Sequence, residues 1–415
     1  MNILFINEYD WFKGVVFDIH VFSEGLSLLG HQVYAIDSEW ASSRARLKTI
    51  EKKDVARVYP GAGICLRRPG FINLPGLGLL STAFTHYREI GKAIKDWNID
   101  VIVLYSVLTN GLQSIHLAKK HKIPVVFRNI DMLHNLMPNV MVRNTMKFLE
   151  KRVYSRVDAA LALTPKYSEY LINMGANESK TKLLPFPADT ELFRPTVDSS
   201  EIRQKWGLSE KDQIILFLGT LFKFSGLGDF IRELPEVIRQ VPEARLLIVG
   251  DGPLRPELER ITTELGLEQH IIITGFQPYQ TLPQYMSAEA ICINPFPINN
   301  ATRDLFSAKI IQYLACGKAT ISTSLPGITT LLPGESHGVV YVDSAADMAR
   351  EVVNLLKSTE RRQQLGQAGL DYVRRAHNRD KITGQLETIL KEVIQEKRGT
   401  AGFKHGEGND FLGSL

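Results

Sequence analysis

The chain opens on a short apolar run, Ile3-Leu4-Phe5-Ile6, that ends in polar residues. A continuous run of that length reads as a strand buried on both faces of a parallel sheet. Ile19, Phe22, Leu26 and Leu29 then recur at helical spacing, and Gly30 supplies the stop. Further strands are expected at 33–36, 101–105, 125–127 and 159–163, with helical stretches between them. The pattern then restarts, with strands expected at 214–218, 246–249, 271–274, 291–294, 319–323 and 339–342. Strands alternating with helices imply βαβ units and parallel sheets. Two such series imply an α/β chain of two doubly wound domains.

Pro185, Pro187 and Pro195 interrupt regular structure between the two series. The expected division is residues 1–188 for a first domain and 189–378 for a second. A last helix, 379–397, is expected to pack back on the first domain. The glycine-rich remainder, 398–415, is expected to be flexible. Ligands of doubly wound sheets bind beyond the carboxyl ends of the strands, so two facing sheets would enclose a cleft.

The length of 415 residues fits two or three domains, and 44% hydrophobic with 23% charged residues is ordinary globular composition. No run approaches the ~18 apolar residues of a membrane-spanning helix. The first residues lack a basic leader, so no secretory signal is expected. Cys65, Cys292 and Cys316 are odd in number and far apart, which excludes a disulfide framework and a cysteine zinc site. A cytoplasmic setting follows. Charge is uneven: residues 1–185 hold 24 basic against 16 acidic residues, and residues 186–415 hold 25 against 29. A basic first half points to an anionic partner there, with nucleic acid, an acidic lipid surface and an anionic small substrate all open at this stage.

Several chemistries lose their main support. The chain has no Gly-x-Gly-x-x-Gly, no Gly-x4-Gly-Lys-Ser/Thr, no Gly-x-Ser-x-Gly and no His-Glu-x-x-His. No Asp-x-Asp occurs either, which removes the usual carboxylate hold on a nucleotide-bound metal. The informative segment is Arg303-Asp304-Leu305-Phe306-Ser307-Ala308-Lys309-Ile310-Ile311-Gln312, which runs on to Gly317-Lys318. Ile310, Ile311, Leu314 and Ala315 form an apolar helical stripe, with Gly317 as the C-terminal stop. A helix starting near Ser307 leaves backbone N–H groups at 305–308 as an anion site, and Lys309 adds a formal positive charge. Gln312 lies eight positions after Asp304, about 12 Å along a helix at ~1.5 Å per residue, which matches the span of a sugar diphosphate nucleotide.

This segment resembles the Glu-x7-Glu motif of retaining glycosyltransferases of family 4, which have the GT-B fold. Tyr313-Leu314-Ala315-Cys316-Gly317-Lys318 is similar to the run that follows that motif. Other stretches match in order. Gly14 and Gly30-His31-Gln32-Val33 fit the acceptor domain, and Asp189-x3-Phe193-x-Pro195 fits the interdomain segment. Ile214–Leu221 resembles the first strand and glycine turn of the donor domain. Gly250-Asp251-Gly252-Pro253 resembles its second turn, and Thr274-Gly275-Phe276 the loop near the base.

The resemblance implies a GT-B enzyme of two Rossmann-like domains. It would move a sugar from a nucleotide donor, such as a UDP- or GDP-sugar, to an acceptor hydroxyl with retention, and without a metal or other cofactor. Carried over residue by residue, Asp304 would orient the sugar and Gln312 the ribose. Gly14, Gly219, Thr220, Lys223, Ser225, Gly275, Phe276, Arg303, Leu305, Phe306, Ser307 and Lys309 would line the donor site. Three departures stand out. Asp304 and Gln312 replace the two motif glutamates. Thr220 and Ser225 stand where the family places Arg and Lys, with Lys223 between them. The acceptor-domain His-Asp pair aligns with Ile130-Asp131, and His134 lies nearby as a substitute for the missing histidine.

Arg67-Arg68 and the apolar residues 71–80, with Arg44, Arg46, Lys48, Lys52 and Lys53, are expected to meet an anionic membrane surface and a lipid-linked acceptor, or else to pack on their own domain. No aromatic-basic platform accompanies the charge excess, so nucleic acid is not an expected partner. Two functions remain in view. One is an active glycosyltransferase of glycolipid or cell-surface polysaccharide synthesis, peripheral on the inner face of the membrane. The other is a GT-B protein that binds sugar nucleotide or a partner without turnover.

Overall fold

The computed structural model describes residues 1–39, 45–72, 77–137, 139–288 and 290–406. The chain divides into two compact units, Met1–Pro185 with the segment from Asp380, and Phe186–Arg379.

The first unit is built on eight strands: β1 (Asn2–Ile6), β2 (Gln32–Ile36), β3 (Ile50–Val55), β4 (Ile64–Arg68), β5 (Val101–Leu104), β6 (Val125–Arg128), β7 (Ala159–Ala162) and β8 (Thr181–Leu183). Their order is β3-β4-β2-β1-β5-β6-β7-β8, parallel except for β3 against β4. Ile6 pairs with Ile36 on one side and Leu104 on the other. The helices of this unit are α1 (Asp18–Leu28), α2 (Leu77–Asp96), α3 (Gly111–His121), α4 (Val140–Tyr154) and α5 (Pro165–Asn173). Residues 3–6 are wholly buried, as helices on both faces of a parallel sheet require.

β3, β4 and β8 escape the apolar pattern. β3 reads Ile-Glu-Lys-Lys-Asp-Val and is exposed along most of its length, because it is an edge strand. β4 corrects a larger expectation. Arg67 and Arg68 belong to a buried strand and do not face a lipid surface. Arg68 meets Asp37 at 2.7 Å, Asp10 at 2.6 Å and Glu39 at 2.7 Å. Arg67 meets Glu51 at 2.9 Å and Asp96 at 3.0 Å and lies over the Trp97 ring. Arg46 is likewise paired with Glu39. Arg44 and residues 73–76 lie outside the described residues.

The second unit holds α6 (Ser200–Lys205), β9 (Gln213–Leu218), α7 (Leu227–Gln240), β10 (Ala244–Val249), α8 (Arg255–Glu264), β11 (Ile271–Ile273), α9 (Leu282–Ser287) and β12 (Ile291–Asn294). It continues with α10 (Ala308–Ala315), β13 (Thr320–Thr323), α11 (Pro326–Thr329), β14 (Val339–Val342), α12 (Ala345–Leu356) and α13 (Thr359–Ala376). The strand order β11-β10-β9-β12-β13-β14 is parallel throughout and reverses direction between β9 and β12. Such a reversal opens a crevice beyond the strand ends, where ligands of this topology bind.

The last helix, α14 (Arg379–Gly406), returns to the first unit. Ile382, Leu386, Ile389, Leu390, Val393 and Ile394 share one core with Ile3, Phe5, Phe22, Leu26 and Val33. The helix continues past Gly399 and Gly402, where a stop was expected, since an interior glycine costs only about 1 kcal/mol against alanine. The rest of the expected flexible tail lies outside the described residues. Because Leu390 is fully buried, Leu390→Ala is expected to cost about 2–5 kcal/mol in urea unfolding. A loss below about 1 kcal/mol would show that α14 is not part of this core.

Candidate functional site

The crevice of the second unit starts from two crossing turns. Beyond β9, Gly219 donates its N–H to Val249 O, and Leu221 donates to Asp251 O. Beyond β10, Gly250 has φ +151°, and a Cβ there would sit 1.9 Å from Gly219 O. Only glycine lets the two turns cross this closely. Gly250 also bridges to Gly275 beyond β11, beside Phe276, which is 56% exposed. Gly219, Gly275 and Phe276 therefore share one rim.

α10 is seated on this rim by polar contacts that sequence patterning did not reveal. Leu218 N–H donates to the Tyr313 hydroxyl at 2.8 Å, which ties the helix to the end of β9. Ser307 is the N-cap residue, yet its side chain caps nothing. Its hydroxyl donates to Asn294 Oδ1 at 3.2 Å, and Asn294 Nδ2 donates to Ser322 Oγ at 3.0 Å. The first-turn amides of α10 are thus left without a side-chain cap. With the helix dipole, they give this end of α10 a partial positive charge.

Lys309 stands in that first turn. Its Nζ lies 4.0 Å from the centre of the Phe217 ring and 4.5 Å from that of Phe296. A Cβ on Gly219 would meet Nζ at 2.9 Å, which places the ammonium under the β9 turn. Desolvation pushes its pKa down to about 7, so it does not carry the fixed positive charge expected of a lysine. The aromatic faces hold the charged form weakly, and an incoming anion would restore it.

Asp304 and Arg303 lie before the helix, with Arg303 Nε 3.8 Å from Asp304 Oδ1. Gly327 of α11 donates to Arg303 O at 2.8 Å, and a Cβ there would sit 2.6 Å from Asp304 O. The α11 turn therefore fixes the backbone under Asp304. Leu305 and Phe306 complete the approach to α10, and Phe306 packs against Phe186 at 6.2 Å. Thr220 and exposed Lys223 lie on the loop beyond β9. Two expected ligands point elsewhere. Ser225 is wholly buried and its hydroxyl has no partner among the described residues, so it is closed to a ligand as it stands. Gln312 is also buried, and its side chain lies within reach of the Tyr279 phenol.

In the first unit, Gly14 lies exposed on the loop beyond β1, and its carbonyl accepts from Arg57. Asp131 follows β6. Burial, and then the charge of Asp18, push its carboxyl up to about 7. Asp18 itself is held by Arg128 at 2.9 Å, with both side chains almost wholly buried. His134 does not partner Asp131. Its Nδ1 meets Glu150 Oε2 at 2.8 Å and the Tyr170 hydroxyl at 3.1 Å. Among the described residues, no group of His, Cys, Asp and Glu is arranged to hold a metal ion.

Two family models match: the Glycosyltransferase Family 4 model over residues 12–192 and the Glycosyl transferases group 1 model over residues 212–358. A GDP-mannose-dependent alpha-(1-6)-phosphatidylinositol monomannoside mannosyltransferase of Mycolicibacterium smegmatis is 30% identical over 190 residues, 45% of this chain and 50% of that protein. An alpha-monoglucosyldiacylglycerol synthase of Streptococcus pneumoniae is 23% identical over 66% of this chain and 63% of that protein. The chain thus spans about half to two thirds of these relatives' length. Sucrose-phosphate synthase from Thermosynechococcus elongatus superposes with a TM-score of 0.76 at 19% identity, over 95% of this chain and 99% of that one. Two Rossmann-like units, the crossing glycine turns and α10 on the β9 rim agree with these matches, and the chain belongs to the group 1 glycosyltransferases of family 4, with the GT-B fold.

Proposed function

We propose that this protein transfers a sugar, with retained anomeric configuration and without a metal, from a UDP- or GDP-sugar to an acceptor hydroxyl. The observation that carries the reading is the uncapped start of α10 beside the Lys309 ammonium. The diphosphate would rest on those amides and on Lys309, next to Gly219. Charge developing on this leaving group is where a preorganised site gains most, on the order of 3 kcal/mol per well-placed donor. Asp304 would orient the sugar. Lys309 replaces the cations that are absent at Thr220 and Ser225.

A lipid acceptor is supported by the outer face of α2. Leu77, Leu80, Phe84 and Tyr87 are exposed and recur every three to four residues, with Phe84 at 71% exposure. Arg88 and Lys95 continue the helix toward its C-terminus and are exposed. An apolar stripe with flanking cations suits the surface of an anionic bilayer at the inner face of the membrane. Among the described residues, no helix is long and apolar enough to cross a membrane. The names of the two relatives, a phosphatidylinositol monomannoside mannosyltransferase and a monoglucosyldiacylglycerol synthase, agree with this class of acceptor. Gln312 in place of a glutamate and buried Ser225 favour the second reading, a sugar-nucleotide-binding protein without turnover.

A panel of nucleotide sugars assayed for hydrolysis and transfer separates the two readings. Turnover of one donor, reduced on the order of 100-fold by Asp304→Ala, is expected; tight binding with no turnover of any donor would leave the binding protein. Lys309 also gives a signed pH dependence. In the free protein its ammonium is lost as pH rises through about 7, so donor affinity is expected to fall above pH 7 by up to about tenfold per unit. In Lys309→Met that slope should vanish in calorimetric titrations at pH 6, 7 and 8, and an unchanged slope would remove Lys309 from the site. Asp131 has its carboxyl raised to about 7 in the folded chain, against about 4 when unfolded. The folded state therefore holds an extra proton between those values, and wild-type stability drops as pH rises from 4 to 7. Asp131→Asn should be more stable than wild type at pH 8 and equal to it below pH 4; parallel urea curves at both pH values would contradict the raised carboxyl.

A further inference from the structure

The basic excess of the first unit is not absorbed by the donor site, which lies in the second. Part of it gathers around a cavity of about 380 Å³ between α4 and α5. Lys147 and Lys151 come from α4, one turn apart and therefore side by side. Both are exposed, and neither makes an ion pair among the described residues. Lys166 enters from the first turn of α5, where Thr164 caps the Tyr167 amide. Glu169 is the one carboxylate among the residues that line the cavity, so cations outnumber acids there by three to one.

A buried carboxylate stands behind two of the lining residues, His134 and Tyr170. Glu150 is wholly buried, and its Oε1 accepts from the Tyr154 hydroxyl at 3.0 Å and the Tyr170 hydroxyl at 2.6 Å. Its Oε2 meets His134 Nδ1 at 2.8 Å. A carboxylate at Nδ1 fixes the proton there and sets the ring orientation. Nε2 is then the remaining polar atom of a ring that lines the cavity and stacks at 27° on Tyr170. The buried polar network thus orients an imidazole that lines the same cavity as the three lysines.

The geometry points to a binding site for a phosphomonoester between α4 and α5, held by Lys147, Lys151, Lys166 and His134. A phosphomonoester carries about −1.5 to −2 charges and three acceptor oxygens, which three ammonium groups and an imidazole can meet. The volume exceeds what a free phosphate fills and falls in the range of small-ligand pockets. Met132 and Met174 add apolar wall for the body that carries the phosphate. That body is either a small soluble polyol or a lipid headgroup. The site uses first-unit residues alone and goes beyond the transfer reading.

The test uses the full chain and its Lys147→Glu/Lys151→Glu variant, both exposed positions. Glycerol 3-phosphate is titrated calorimetrically, and vesicles of phosphatidylcholine with or without phosphatidic acid are sedimented with the protein. At least a tenfold loss of affinity for glycerol 3-phosphate in the variant, with glycerol itself not binding, supports a soluble ligand. Loss of phosphatidic acid-dependent sedimentation, without binding of glycerol 3-phosphate, supports a lipid headgroup. His134→Asn, which keeps a donor for Glu150, should weaken the same probe without lowering the unfolding midpoint. The proposal is overturned if neither probe binds wild type, if variant and wild type bind alike, or if a soaked phosphate lies elsewhere. Nucleotide-sugar binding in the same double variant should match wild type, so failure here is distinguishable from failure at Lys309.

Discussion

The crevice of the second unit depends on one seat, the hydrogen bond from Leu218 N–H to the Tyr313 hydroxyl, which sets α10 on the end of β9. From it follow the nearness of Lys309 to Phe217, the approach of its ammonium to Gly219, and the opening of the first-turn amides onto the strand ends. The chain Ser307–Asn294–Ser322 holds the other end of the same contact. It uses up the side chain that would otherwise cap the helix. A serine at an N-cap usually satisfies its own helix; this one is turned to a buried asparagine, and a first turn without a side-chain cap is the result.

Charge in the first unit is handled differently. Asp10, Asp37 and Glu39 converge on Arg68, and Asp18 on Arg128, with little solvent at either arginine. Burial still outweighs the partner at Asp37, whose carboxyl is pushed up to about 6. Such clusters are expensive to desolvate and weak as net stabilisers, but they fix one arrangement of the loops beyond β1, β2 and β6. Lys147, Lys151 and the outer face of α2 are the opposite case. They are open to solvent.

Most of the second unit was legible because its strands are buried on both faces and read as unbroken apolar runs. The start of α10 was legible for a related reason: Ile310, Ile311 and Leu314 set the helix phase, and Ser307 marks its entry. The same cues failed in the first unit. β3 is polar because one edge meets water, and β4 carries two arginines whose partners come from Asp37, Glu51 and Asp96, distant in sequence. Composition records that those arginines exist, not that three-dimensional neighbours neutralise them. His134 failed likewise, since Glu150 stands 16 residues further along the chain, on α4, where no local pattern pairs them.

The sequence by itself determined two series of parallel strands, the helix that follows Asp304, and the residue types available for an anion. It could do so because apolar period and helix stops are local properties, set by neighbours along the chain. Tertiary structure alone decided which of those residues are usable. It placed the Lys309 ammonium against two aromatic rings, closed Ser225, turned Gln312 to Tyr279 and His134 to Glu150, and left Lys147 and Lys151 open. Solvation and hydrogen-bond partnership depend on groups far apart in sequence, and the desolvation cost of a charge appears only when the chain has closed around it.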